Sequence, residues 1–124
     1  MGIISAGAHR ALDFVVVLVF AIAPTLFAMT GRSAMATYAL AVIHLLVTLF
    51  THVPGRESRP ISYQAHGAIE FLVGLAMVCV PLIRHWTGGA RTFYLGFGVV
   101  LLLVWLLTRY REPVAPVAAR PPVA

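Results

Sequence analysis

The chain has 124 residues, 60% of them hydrophobic and only 10% charged, with a formal net charge of +5. A soluble domain averages about 25% charged residues, so the polar surface here is too small to cover a water-soluble globule. Every basic residue is an arginine, and the arginines are dispersed through loops and helix ends, which excludes a nucleic-acid patch and fits membrane orientation.

Four apolar blocks follow one another, Ala11 to Met29, Ala34 to Phe50, Gly67 to Ile83 and Thr92 to Leu107. Each is close to the roughly 20 residues that cross a hydrocarbon core of about 30 Å. Their composition predicts an all-α membrane protein with four transmembrane helices. A transmembrane β-barrel would need alternating apolar and polar residues, which the blocks lack. The first block is of full spanning length with only Arg10 before it, and reads as an uncleaved signal anchor. Ala6 in place of Ser or Thr excludes a myristoylation motif at Met1-Gly2.

In chain order, the first helix is expected to start near Ala8, with Asp13 in its second turn, toward the positive end of the helix dipole. Pro24 should kink that helix or begin to end it. Thr30 to Ser33 reads as a short turn, and the second helix carries Ala34, Ala36, Ala39 and Ala41, small residues that permit close helix approach in lipid. That helix also holds His44. His52 to Gln64 is the one long loop. The third helix is expected to open with His66 and to carry Glu70 and Gly74 on the same face, at spacings of four. Pro81 is a second late-helix proline, and Arg84-His85-Trp86 has an interfacial composition. Thr87-Gly88-Gly89 turns into the fourth helix. From Pro113 onward the chain is a proline-rich tail, expected to be extended or disordered. Cys79, the single cysteine, allows no intramolecular disulfide and reads as a small packing residue.

The chain repeats itself at an offset of 57 residues, without a gap. His9, Asp13 and Phe14 fall on His66, Glu70 and Phe71; Pro24 falls on Pro81; Thr30-Gly31 falls on Thr87-Gly88; Leu49 and Thr51 fall on Leu106 and Thr108. Apolar residues alone could match by composition, but a histidine, an acid, a proline and a Thr-Gly turn in one register indicate an internal duplication. The organisation is therefore two tandem helical hairpins in parallel repeat: residues 1–53 (spans about 11–29 and 34–50), a linker over 54–65, residues 66–111 (spans about 67–83 and 92–107), and a tail over 112–124. Six arginines fall on the side holding both termini and the long loop, and three on the other. The positive-inside rule then places the N- and C-termini in the cytoplasm.

Histidine, acid, late proline, short turn and second helix, given twice in a small four-helix chain, resemble the SPW-repeat family of bacterial integral membrane proteins. The resemblance covers nearly the whole chain apart from the tail. The Ser-Pro-Trp of that family is reduced here to Ala23-Pro24-Thr25 and Val80-Pro81-Leu82. It implies the fold and a bacterial inner-membrane location, and no particular chemistry.

Five ionisable groups fall in the half of the bundle nearest the termini: His9 with Asp13, His66 with Glu70, and His44, which lies about 6 Å deeper at 1.5 Å rise per residue. Ionisable groups at membrane depth are expensive and mark function by default. One reading is a metal or haem site, since a histidine and a carboxylate at i and i+4 share a helical face and suit divalent zinc, iron or manganese. The simpler reading is architectural, with no cofactor: the acids bond the histidines four residues earlier and lock the repeats together. The Glu-x-x-His pattern of di-metal carboxylate bundles is absent. His44 has Leu101 as its repeat counterpart. It reads as a neutral histidine bonded to a neighbouring helix, through Thr48, or as a lone axial ligand. His52 and His85 read as interfacial.

No phosphate-binding loop, nucleophile elbow or Cys-x-x-Cys motif occurs, so no enzyme activity is expected. The expected function is a non-catalytic accessory or scaffolding subunit of a larger membrane complex, in contact with the lipid bilayer and with other subunits or copies of itself. The alternatives are a metal- or haem-binding redox protein and a small oligomeric proton-coupled transporter.

Overall fold

The computed structural model describes residues 2–111. Four helices make up the bundle: α1 (Ala6–Leu26), α2 (Gly31–Phe50), α3 (Tyr63–Ile83) and α4 (Gly88–Leu107). All four are long and apolar enough to cross a membrane. At 1.5 Å rise per residue, 21 residues span about 31 Å. The proline-rich tail, with its expected disorder, lies outside the described residues.

Every helix starts before its apolar block, while α2, α3 and α4 end where their blocks end and only α1 ends earlier, at Leu26 instead of Met29. Ser5 and Ser62, repeat counterparts, cap α1 and α3 by accepting from the amides of Ala8 and Ala65. Each cap adds a polar turn before the apolar block, so α1 starts before Ala8 and α3 starts at Tyr63 instead of His66. A serine hydroxyl satisfies one of the orphan donors of the first turn. At the far end, Pro24 and Pro81 lie inside the last turn, and α1 and α3 end two residues later. The chain reverses through left-handed residues at matching positions, Ala28 and Gly31 in one repeat and His85 and Gly88 in the other. Thr30 and Thr87 are N-caps rather than turn interiors, so the first reversal shifts to 27–30 at its expected length and the second shortens to 84–87.

Packing is closest within each hairpin, α1 on α2 and α3 on α4. In the second hairpin Gly74 faces Gly98: a Cβ on Gly98 would stand 3.1 Å from the Gly74 carbonyl oxygen and 2.9 Å from the Met77 Cβ. Ala41, the counterpart of Gly98, is buried at the matching place in the first hairpin. The hairpins meet along a common core. Phe20 and Met77, repeat counterparts, are its largest fully buried apolar side chains, at 0% and 1% exposure. Phe20 stacks edge-on against Phe97 of α4, with centroids 5.4 Å apart. Nearer the reversals, Thr37 and Tyr94, again counterparts, share a buried 3.0 Å hydrogen bond. Cys79 is half-buried.

Two backbone clips close the opposite end. The amides of Ile3 and Ile4 donate to the Leu107 carbonyl and the Arg109 amide to that of Ile4; in the same register the Ile61 amide donates to the Phe50 carbonyl and the His52 amide to that of Ile61. The beginning of each repeat is thus pinned to the end of the other, at one end of the bundle. Large apolar side chains such as Leu18, Ile22, Met35, Leu72 and Leu103 point outward on all four helices, as a lipid-facing surface requires.

Candidate metal centre

The clips hold a polar cluster directly beneath them. His9 and Asp13 on α1 meet His66 and Glu70 on α3, and all four side chains are at most 5% exposed. A helix brings i and i+4 onto one face, so each pair forms locally. The two pairs then interlock across the repeat axis. His9 Nε2 is 3.3 Å from Asp13 Oδ1 and 3.0 Å from Glu70 Oε2. His66 Nε2 is 3.5 Å from Glu70 Oε1 and 3.5 Å from Asp13 Oδ2. Each carboxylate therefore turns one oxygen to each histidine.

Two threonines orient the imidazoles. Thr51 donates its hydroxyl to the Val47 carbonyl at 2.6 Å, and Thr108 donates to the Val104 carbonyl at 2.7 Å. A hydroxyl has one hydrogen, so toward the histidines these oxygens accept. His66 Nδ1 lies 2.8 Å from Thr51 Oγ1, and His9 Nδ1 lies 2.9 Å from Thr108 Oγ1. The network assigns the Nδ1–H tautomer to both rings and turns both Nε2 atoms inward. A ligating histidine is characteristically held in this way, its other nitrogen donating to an outer partner.

Tyrosines close the cluster toward the clipped end. Tyr110 donates to Glu70 Oε2, and its ring lies edge-on to that of His9 with centroids 5.4 Å apart. Burial, and then the Glu70 charge, raise the Tyr110 phenol above its ordinary pKa, so it remains a donor. Its ring rests on Gly67, where a Cβ would come within 2.7 Å of it; Gly67 is required for that approach. Tyr63 stacks between Tyr110 and His9, at 5.1 and 6.0 Å.

His44 reaches the cluster from α2. It is 6% exposed, its Nε2 lies 3.6 Å from Asp13 Oδ1, and its ring is edge-on to His66. Thr48, the expected partner, makes no side-chain hydrogen bond among the described residues; Asp13 of α1 faces His44 instead. Among the described residues, His44 Nε2, His66 Nε2, Tyr63 Oη and Thr48 Oγ1 are buried without a hydrogen-bond partner. His52 bonds a loop carbonyl at 3.2 Å and His85 is an exposed turn residue, both away from the cluster.

All of the singled-out ionisable residues converge: His9, Asp13, His66 and Glu70 offer ligand atoms that lie within 4.8 Å of one another, with His44 beside them. Pro24 and Pro81 sit at the other end, where they terminate helices. Thr51, Thr108, Tyr63 and Tyr110 were not singled out as site residues. The threonines carried a signal, since Thr51 falls on Thr108 in the repeat register. The tyrosines carried none, because their counterparts are Ala6 and Val53.

The geometry defines a class: a four-helix polytopic membrane protein with a buried histidine–carboxylate centre on its internal symmetry axis. No family model matches the chain, and no curated protein or solved structure matches it either.

Proposed function

We propose that this protein binds a divalent transition-metal ion inside the bilayer, with His9, Asp13, His66 and Glu70 as ligands. The observation that carries the reading is His66 Nε2: fully buried, without a hydrogen-bond partner, and facing two carboxylate oxygens at 3.5 Å. With its Nδ1 hydrogen held by Thr51, the Nε2 atom points at the same space as the two carboxylates, and a cation can fill that space. A tetrahedral ion with bonds of about 2.0–2.1 Å separates its ligand atoms by about 3.3 Å. One ligand atom from each of the four residues lies within 4.8 Å of the others, so the side chains draw together as the ion binds. Two neutral imidazoles, two carboxylates and a divalent ion also sum to zero charge, which suits a buried site.

The test is metal content. The protein extracted in mild detergent should carry one equivalent of zinc, iron or manganese, measured by plasma mass spectrometry after exhaustive washing. His66→Ala should abolish it. A wild-type protein that stays metal-free after loading with each ion sinks the proposal, and leaves the cluster as an ion-pair lock between the repeats.

The observation favouring a binding centre over a proton-coupled path is the apolar filling beyond it, where Phe20 and Met77 are fully buried. The SPW-repeat likeness, the bacterial inner membrane and the cytoplasmic termini belong to the same proposal, supported by the two late prolines and the arginine distribution. A scaffolding role is compatible with it, and its tail lies outside the described residues. Extraction as a particle of defined companions would support that role; a particle of this 13.4 kDa chain alone would overturn it.

A further inference from the structure

Symmetry accounts for four donors, and His44 breaks it. Its counterpart Leu101 is a buried core residue at 3% exposure, so the first repeat carries an imidazole where the second carries an apolar filler. A histidine needed only for packing would have found a partner, yet His44 Nε2 is buried and has none. The position of Asp13 Oδ1 explains what it faces. This one oxygen stands 3.3 Å from His9 Nε2 and 3.6 Å from His44 Nε2.

We infer that His44 is a fifth donor to the same ion, which makes the centre a three-nitrogen, two-oxygen site selective for divalent ions that accept five or more ligands. The inference rests on the metal-binding reading above. With bonds of about 2.1 Å, ligands at 90° are separated by about 3.0 Å and ligands at 120° by about 3.6 Å. The five nitrogen–oxygen distances around the cluster, 3.0, 3.3, 3.5, 3.5 and 3.6 Å, fall within that range, with each carboxylate presenting both of its oxygens. His44 stands outside the four mutually close atoms, so its ring swings inward as the ion binds. Next to it lies a narrow void lined by Phe20, Leu40, Val47 and Val73, and its neighbour Thr48 Oγ1 is uncommitted.

The chemistry of the set follows. Three imidazoles and two carboxylates suit ferrous iron, manganese or cobalt, whereas zinc is satisfied by four ligands. A fifth ligand also leaves one face of a six-coordinating ion free for a small exogenous ligand. The clipped end is covered by Tyr63 and Tyr110.

The experiment uses Co²⁺ as probe in the full-length, detergent-solubilised protein and in His44→Leu. Leucine is the residue the other repeat already buries at this position, so the variant should fold, and its melting temperature checks that. Bound Co²⁺ in the wild type should give the weak visible bands of five-coordination. In His44→Leu it should give the several-fold stronger bands of a tetrahedral ion at unchanged stoichiometry. In competition, the preference for Fe²⁺ over Zn²⁺ should fall by about tenfold in the variant. Identical spectra and unchanged competition would overturn the fifth-ligand assignment while leaving the four-ligand centre standing. Absence of bound Co²⁺ from both proteins, with other ions equally absent, would refute the metal reading itself and this inference with it.

Discussion

The two repeats supply the same parts to the shared centre and different parts around it. Both give a histidine, an acid one turn on, and a threonine that orients the partner repeat's histidine: Thr51 holds His66, and Thr108 holds His9. Around that frame they diverge. Where the second repeat has Gly67 and Tyr110, the first has Arg10 and Val53; Arg10 bonds the Thr48 carbonyl at 3.0 Å instead of admitting an aromatic ring. Where the first repeat has His44, the second has Leu101. Duplication explains the shared parts, since any residue at the axis is presented twice. The unshared parts surround the cluster asymmetrically, with one face covered by tyrosines and another by His44.

The comparison is broken most severely by removing one acid. Asp13→Leu and Glu70→Leu should each lower stability by about 3–5 kcal/mol, because a buried pair loses one partner and leaves the other uncompensated. Glu70→Leu should cost more, since Tyr110 loses its acceptor as well. Reversible unfolding in mixed micelles measures both, and equal losses would mean that Tyr110 contributes nothing.

Next come the core counterparts. Phe20→Ala and Met77→Ala should each cost about 2–5 kcal/mol by leaving a cavity, and both should leave metal binding in place. Loss of metal from either would tie the centre to the packing beyond it and weaken the idea of a self-contained site.

The threonines sharpen the symmetry directly. Thr51→Val and Thr108→Val keep the shape and remove the acceptor that fixes each tautomer, so metal affinity should fall by about 10–100-fold in each. Isothermal titration would show it. A fall in only one would mean that one histidine holds its orientation without help.

The smallest effect is expected at the asymmetric cover. Gly67→Ala pushes the Tyr110 ring aside at a cost of about 1–3 kcal/mol. It should speed hydrogen exchange at the Arg109 amide, which donates to Ile4, and leave the His52 amide of the other clip unchanged. Equal acceleration at both would show that the clips open together.

The sequence by itself determined the number and nature of the helices, their pairing into two hairpins and the identity of the ionisable residues. Hydrophobic length and a 57-residue register are local, one-dimensional properties, and lipid leaves no alternative to the helix for such segments. It also placed each histidine on one face with its own acid, because i and i+4 on a helix follow from geometry alone. Helix starts were less legible, since Ser5 and Ser62 extend the helix into polar residues that hydropathy does not mark. Only the tertiary structure decided that each histidine also faces the other repeat's acid, that Asp13 rather than Thr48 confronts His44, and that Thr51 and Thr108 orient the rings. Those contacts depend on how two hairpins rotate against each other about their axis. That rotation depends on bulky side chains from both hairpins, such as Phe20 against Phe97, in the common core, which no periodicity along one helix can encode.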